Sequence, residues 1–319
     1  MGDGGRSTAH LGLDLGGTNI KWALVVEGDG TWEAVDRDQV ATHAAAGPDA
    51  VVRRLATVAT QALARTDHTV SSIGIGVPGL YDPATGAARF LPNLPGEWAG
   101  VPVASSVAEA LGLPTHLVND ARAFGLAELR LGAGRGASTM VGFTLGTGVG
   151  GVIAVDGRVH QGHDGTAGEL GHQTIDPDGP WCGCGNRGCL EAYVRADQIA
   201  AACGAPTAGK AVARARAGER RALAGMADVG RYLGIGIANT VTVLTPDRVV
   251  IGGGIAAAFD LLLRPIQEEL RRRVRTTALD EVAIVPAQLG TWAGAIGAAV
   301  HGAEAGARAA QPAVATAAG

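Results

Sequence analysis

Between Gly168 and Glu191 the chain reads GELGHQTIDPDGPWCGCGNRGCLE. His172, Cys182, Cys184 and Cys189 offer one imidazole and three sulfurs. That is a complete tetrahedral set of the Cys₃His kind, which closes a structural Zn²⁺ site and leaves no open position for water. Gly183, Gly185 and Gly188 flank the cysteines, where a chain wrapping a metal needs tight, left-handed turns. The competing reading is a set of unrelated thiols, or a disulfide from Cys182 to Cys184 or Cys189. The histidine that completes the ligand count favours the metal. Glu169, three residues before His172, and Glu191, two after Cys189, ride on the same scaffold and are placed to face a ligand.

At 319 residues, 47% of them hydrophobic and 18% charged, the chain is long enough for two globular domains. Aromatics reach only 4% while glycine numbers 50, which points to an Ala/Val/Leu core and many tight turns. A net charge of −4 argues against a nucleic-acid-binding surface. No apolar run is long enough to span a bilayer, so no membrane partner is expected. The opening MGDGGRSTAH has no apolar core of a secretory leader, and with most cysteines assigned to metal the cytoplasm is the expected compartment. Cys203 reads as a small core residue.

The N-terminal pattern is a β-meander: strands at 10–15, 20–27 and 31–35, with Gly16-Gly17-Thr18 in the first turn and a Gly28-Asp29-Gly30 hairpin signal in the second. Helices follow at 48–64 and 103–111, and short strands at 73–77 and 115–118. A helix over 121–131 precedes two strands, 139–145 and 149–155, around Gly146-Thr147-Gly148. The remainder is mostly helical, at 196–202, 209–218, 220–244, 259–274 and 292–301. Strands at 249–251 and 282–285 interrupt it, the first running into Gly252-Gly253-Gly254. The end of the chain reads as a disordered tail from 304 to 319.

GLDLGGT at 12–18 and GFTLGTG at 142–148 share one pattern, which predicts two related α/β domains. Glycine turns let main-chain N–H groups approach phosphate oxygens with no Cβ in the way. Thr18 and Thr147 add hydroxyl donors, and Asp14 lies where it can hold a hydrated Mg²⁺. Neither a Walker loop nor a Rossmann fingerprint is present. A lone glycine hairpin is an ordinary turn; the matched pair favours nucleotide phosphates.

Asp120 is the candidate general base, and its bland alternative is an aspartate capping the helix from Ala121. Asn119, with no capping duty expected of it, suits sugar hydroxyls. Asn93, in LPNLPGEW, is either a turn residue or a ligand contact.

Taken together, LGLDLGGTNIK, GIGVPGL, PNLPGEWAGVPV, VNDARAFGLAE, FTLGTGVGG, GELGH, CGCGNRGCLEAY and VVIGGGI resemble the ROK family of sugar kinases and repressors, in that order and over nearly the whole chain. The resemblance implies an actin-like (ribonuclease H-like) two-domain α/β fold with a cleft between domains. The small domain is expected at 1–118 with a closing helix at about 291–303, and the larger, zinc-carrying domain at 119–290. It implies an ATP-dependent kinase for a free hexose, foremost glucose at the 6-hydroxyl, with Asp120 as base. Asn93, Asn119, Asp120, Glu169, His172 and Glu191 would hold the sugar. Gly16, Gly17, Thr18, Gly146, Thr147 and Gly148 would hold the phosphates, with Asp14 on Mg²⁺ and Gly253-Gly254 on the adenosine side. Zinc would sit on His172, Cys182, Cys184 and Cys189, and a homodimer or homotetramer is the assembly implied. With the glycine turns elsewhere, losing a sulfur ligand is expected to harm sugar binding far more than nucleotide binding.

The family's repressors carry a DNA-binding domain ahead of the first glycine turn; only thirteen residues precede Asp14 here, so a kinase is expected rather than a sugar-responsive regulator. One departure stands out. Glu97 separates Gly96 from Trp98 where the family has them adjacent; loops tolerate such insertions, so an innocuous one is the first reading, while an amino sugar or a sugar-like cyclitol stays in play as the acceptor.

Overall fold

The computed structural model describes residues 8–310. The chain divides into two compact units. The first begins with the meander β1 (Thr8–Leu15), β2 (Asn19–Gly28) and β3 (Thr31–Ala41). Asp29 and Gly30 both have positive φ (49° and 72°), the type I′ geometry that matches the twist of a two-residue hairpin loop. Helix α1 (Pro48–Leu63) buries Val51, Leu55, Val58 and Ala62, an i, i+4, i+7, i+11 stripe. Strand β4 (Val70–Val77), the short hairpin β5 (Leu80–Tyr81) and β6 (Ala88–Phe90), helix α2 (Val103–Leu111), strand β7 (Thr115–Asn119) and helix α3 (Asp120–Leu131) follow.

The second unit opens on β8 (Met140–Leu145), β9 (Val149–Val155) and β10 (Arg158–Val159). It continues through α4 (Glu191–Val194), α5 (Ala196–Ala202), α6 (Ala208–Arg216), α7 (Arg220–Leu244), β11 (Arg248–Gly253), α8 (Phe259–Arg273) and β12 (Ala283–Pro286). A 3₁₀ turn at Ala256–Ala258 stands between the triple glycine and α8. The last helix, α9 (Ala293–Ala310), belongs to the first unit.

The internal resemblance read from the two glycine turns is a duplication of topology. The first unit's sheet runs β3-β2-β1-β4-β7 and the second unit's β10-β9-β8-β11-β12. In each, the strand before the glycine turn pairs antiparallel with the strand after it. It pairs parallel on its other side with a strand from much later in the chain. The leading strands β1 and β8 are central and buried on both faces, hence their near-continuous apolar runs.

Helix α9 lies on β1 and β4 with nothing between the backbones. A Cβ on Gly12 would overlap the Ala295 carbonyl, and one on Gly74 the Ala298 carbonyl. This explains the glycines inside two buried strands, where they otherwise weaken packing. It also corrects the expected tail. Residues 304–310 continue α9 as helix, and 311–319 lie outside the described residues.

The units part after Arg130 rather than after residue 118, and the second spans Leu131–Thr291. The reason is α3. A Cβ on Gly297 of α9 would overlap the Ala123 carbonyl, and Arg130 pairs with Glu304 at 2.7 Å. Both contacts bind α3 to the first unit.

Candidate functional site

In the first unit, the Gly16-Gly17-Thr18 turn closes through Gly16 N–H to the Asn19 carbonyl at 3.0 Å. Thr42, buried and not singled out by any sequence pattern, clamps it twice. Its hydroxyl donates to the Gly16 carbonyl at 2.7 Å and its N–H to the Thr18 carbonyl at 2.8 Å. Gly17 and Thr18 stay exposed. The Asn93 main chain packs against Gly17, where a Cβ would lie 2.7 Å from the Asn93 carbonyl oxygen. The loop expected to face sugar thus abuts the turn expected to face phosphate, and Asn93 itself is exposed.

Asp14 sits one residue before Leu15 on β1, opposite Lys21 of β2. Burial pushes its carboxyl up from the ordinary range, against the pull of Lys21. Gly76 and Gly294 flank the carboxylate; a Cβ on Gly294 would stand 2.7 Å from Asp14 Cγ. A half-buried carboxylate walled by glycine backbone at the foot of the turn fits a hydrated Mg²⁺ held through water.

At the junction of β7 and α3 the cap falls to Asn119, for which no capping duty was expected. Asn119, not Asp120, is the N-cap. Its side-chain oxygen accepts from Ala121 N–H at 3.1 Å and Arg122 N–H at 3.3 Å, while its amide donates to the Gly79 carbonyl at 3.2 Å. Asn119 is buried. Asp120 is the first helical residue, exposed, with Oδ1 accepting from Ala121 N–H at 2.8 Å.

In the second unit, the four expected metal ligands come together. The donor atoms of His172, Cys182, Cys184 and Cys189 lie within 4.8 Å of one another. Cys184 Sγ and Cys189 Sγ are 3.7 Å apart, and His172 Nδ1 is 3.7 Å from Cys182 Sγ. A tetrahedral zinc with Zn–S of about 2.3 Å requires S···S edges of about 3.8 Å, so the set fits the ion. All four cysteines are unpaired, and the Cys184–Cys189 separation is well beyond a disulfide's length of about 2.05 Å. Burial pushes Cys182 up to about 12 and also raises Cys189. Cys184, exposed and accepting the Asn186 N–H, is lowered.

The knuckle is built from main-chain bonds. Cys182 N–H donates to Asn186 at 2.8 Å and Gly185 N–H to Cys182 at 3.0 Å, while Thr174 and Cys189 form an antiparallel bridge. Gly185 and Gly188 have the left-handed φ expected (91° and 64°), whereas Gly183 does not. Asn186, missed by the sequence reading, donates to Cys189 Sγ at 3.4 Å. Glu169 stands exposed at the head of a 3₁₀ turn (Leu170–His172), its carbonyl accepting His172 N–H at 3.0 Å.

The second glycine turn has Thr147 exposed and Gly146 N–H bonded to the Gly148 carbonyl at 2.9 Å. Gly253, with φ of 83°, presses against the Leu145 backbone just before this turn, and Gly254 is open to solvent. Glu191 is also here. Its Oε2 accepts Val149 N–H at 2.8 Å, a link to the turn that no local sequence signal announces.

A family model described as the ROK family matches residues 10–303, and the chain belongs to that family. It is 35% identical over 310 residues to a glucokinase of Thermotoga maritima, covering 91% of this chain and 95% of that one. A ROK hexokinase structure from Thermus thermophilus matches with a TM-score of 0.80 at 34% identity, over 94% of this chain and 99% of that one. A ROK family glucokinase from Streptomyces griseus, in complex with glucose and AMPPNP, matches at 0.77 and 30%, over 93% and 99%. The fold is therefore the α/β actin-like sugar kinase fold. Among the described residues no helix is long and apolar enough to cross a membrane.

Proposed function

We infer that the chain is a sugar kinase that transfers the terminal phosphoryl group of ATP to a hexose, foremost the 6-hydroxyl of glucose. Its relatives include proteins named glucokinase, and the S. griseus structure holds glucose with a nonhydrolysable ATP analogue. The observation that carries the reading is the division of labour at β7–α3: Asn119 holds the helix cap, and the exposed carboxylate of Asp120 stands at the helix start.

On this reading Asp120 takes the proton of the attacking hydroxyl. Phosphoryl transfer has a loose transition state with little covalent work for the protein, so positioning and charge carry most of the rate. Asn93, Glu169, His172 and Glu191 orient the sugar. Asn119 fixes where α3 begins, and the second N–H of its amide serves a sugar hydroxyl. The glycine turns at 16–18 and 146–148 hold phosphates and Gly253-Gly254 the nucleoside side. Mg²⁺ held through Asp14 would neutralise phosphate charge, and zinc on the four-residue knuckle would fix the His172 ring, leaving Nε2 to face the sugar.

The inserted Glu97 folds back on its own loop, its carboxylate accepting Ala99 N–H at 3.2 Å. The enzyme is taken to work in the cytoplasm as a homodimer or homotetramer. A coupled assay with zinc-replete protein, offering Mg-ATP or polyphosphate against hexoses, amino sugars and cyclitols, tests the reading. Glucose-dependent ADP formation is expected; no acceptor-dependent turnover with any donor would overturn it.

A further inference from the structure

Glu191 opens α4 two residues after the metal ligand Cys189 and touches two things at once. Oε2 accepts the N–H of Val149, the first residue beyond Gly146-Thr147-Gly148, at 2.8 Å. A Cβ on Gly148 would lie only 2.6 Å from that oxygen, so the turn and the carboxylate are in direct contact. Oε1 lies 3.6 Å from the sulfur of Cys182, a metal ligand, so the carboxylate stands against the knuckle itself. The same segment grips the other end of the turn, where Ala196 N–H donates to the Gly146 carbonyl at 2.9 Å.

The segment is itself anchored. Leu190 is fully buried, and its N–H donates to the Gln173 carbonyl at 3.0 Å. It wedges against Gly236 of α7, where a Cβ would lie 2.7 Å from Leu190 Cδ2. A carboxylate beside a phosphate-binding turn repels phosphate, so its value there lies in holding the turn rather than in touching the ligand. The bond it accepts is charge-assisted, of the stronger kind. Each carboxylate oxygen has two acceptor directions, so the same group can still take a sugar hydroxyl.

We propose that Glu191 is a positioning residue for the nucleotide side. It ties the Gly146-Thr147-Gly148 turn to the zinc knuckle, so that metal occupancy sets nucleotide affinity as well as sugar affinity. This rests on the reading of that turn as a phosphate-binding one, and it revises the expectation that zinc loss leaves the nucleotide side largely untouched.

The test compares wild type, Glu191→Gln, Glu191→Ala and chelator-stripped wild type. It measures zinc content, amide hydrogen exchange over 146–150, and Mg-AMPPNP binding by calorimetry without sugar. Glu191→Ala and metal removal should each speed exchange in that segment and weaken Mg-AMPPNP by about tenfold, the effect of one hydrogen bond to a charged group. Glu191→Gln retains an acceptor oxygen and should stay within about threefold of wild type in both readouts. Native exchange and affinity in Glu191→Ala, or equal loss in Gln and Ala, would overturn the proposal. Should Glu191→Ala fail to fold, unchanged exchange at 146–150 in the stripped wild type would overturn it alone. Wild type that binds no Mg-AMPPNP would refute the phosphate reading of the turn, while the exchange arm still decides whether Glu191 holds it.

Discussion

The side-chain oxygen of Asn119 accepts the main-chain N–H of Arg122 at 3.3 Å, which makes Asn119 the cap of α3 and leaves Asp120 to begin it. Asn119→Ala should therefore cost about 1 kcal/mol of stability through the lost cap, with a further loss from the unsatisfied Gly79 carbonyl. Asn119→Asp should keep the cap. Urea denaturation checks this, and an Asn119→Ala midpoint equal to wild type would contradict it.

Zinc should bind at one equivalent per chain, and Cys184→Ser should lower its content sharply. The pH dependence follows from the thiols. With Cys182 raised to about 12 and Cys189 also raised, both are protonated in the metal-free protein at neutral pH. Zinc must expel those protons, so its apparent affinity should climb steeply as pH rises from about 6 to 8. Calorimetry in buffers of different ionisation enthalpy reads the proton release directly. A flat affinity across that range would contradict the assignment.

His301 of α9 is buried, and burial first, with Arg308 and His116 second and third, lowers its pKa from 6.5 to about 4. The folded protein holds the ring neutral. Its contribution is thus complete above about 6.5 and is lost as pH falls toward 4, on the order of 3 kcal/mol over the whole window. Burial lowers His10 and His116 in the same direction. The thermal midpoint should fall over this window, and His301→Leu should flatten the fall. Identical slopes in the two proteins would contradict the account.

Elements with their own punctuation were legible in the chain. Helix α2 ends at Leu111 because Gly112 takes the left-handed C-cap, and the expected bounds of α7, Arg220–Leu244, match the structure. The metal set was legible because ligand count and chemistry are local. The end of α9 is not legible because its late Ala/Gly residues carry no periodic apolar stripe. Small residues suit this helix because α9 lies backbone to backbone on Gly12 and Gly74. That Asn119 rather than Asp120 is the cap is not legible, because both types cap well and only the backbone at the strand–helix junction decides between neighbours. The Glu191–Val149 bond spans 42 residues and no pattern within either segment encodes it.

Whether Asp120 is the base is tested most directly by Asp120→Asn. Because Asn119 carries the cap, this substitution leaves the helix start intact. Glucose-dependent ADP formation should fall by about 10²–10⁴-fold or more. Glucose binding by calorimetry and the thermal midpoint should stay near wild type. Near-normal turnover in folded Asp120→Asn would contradict the account.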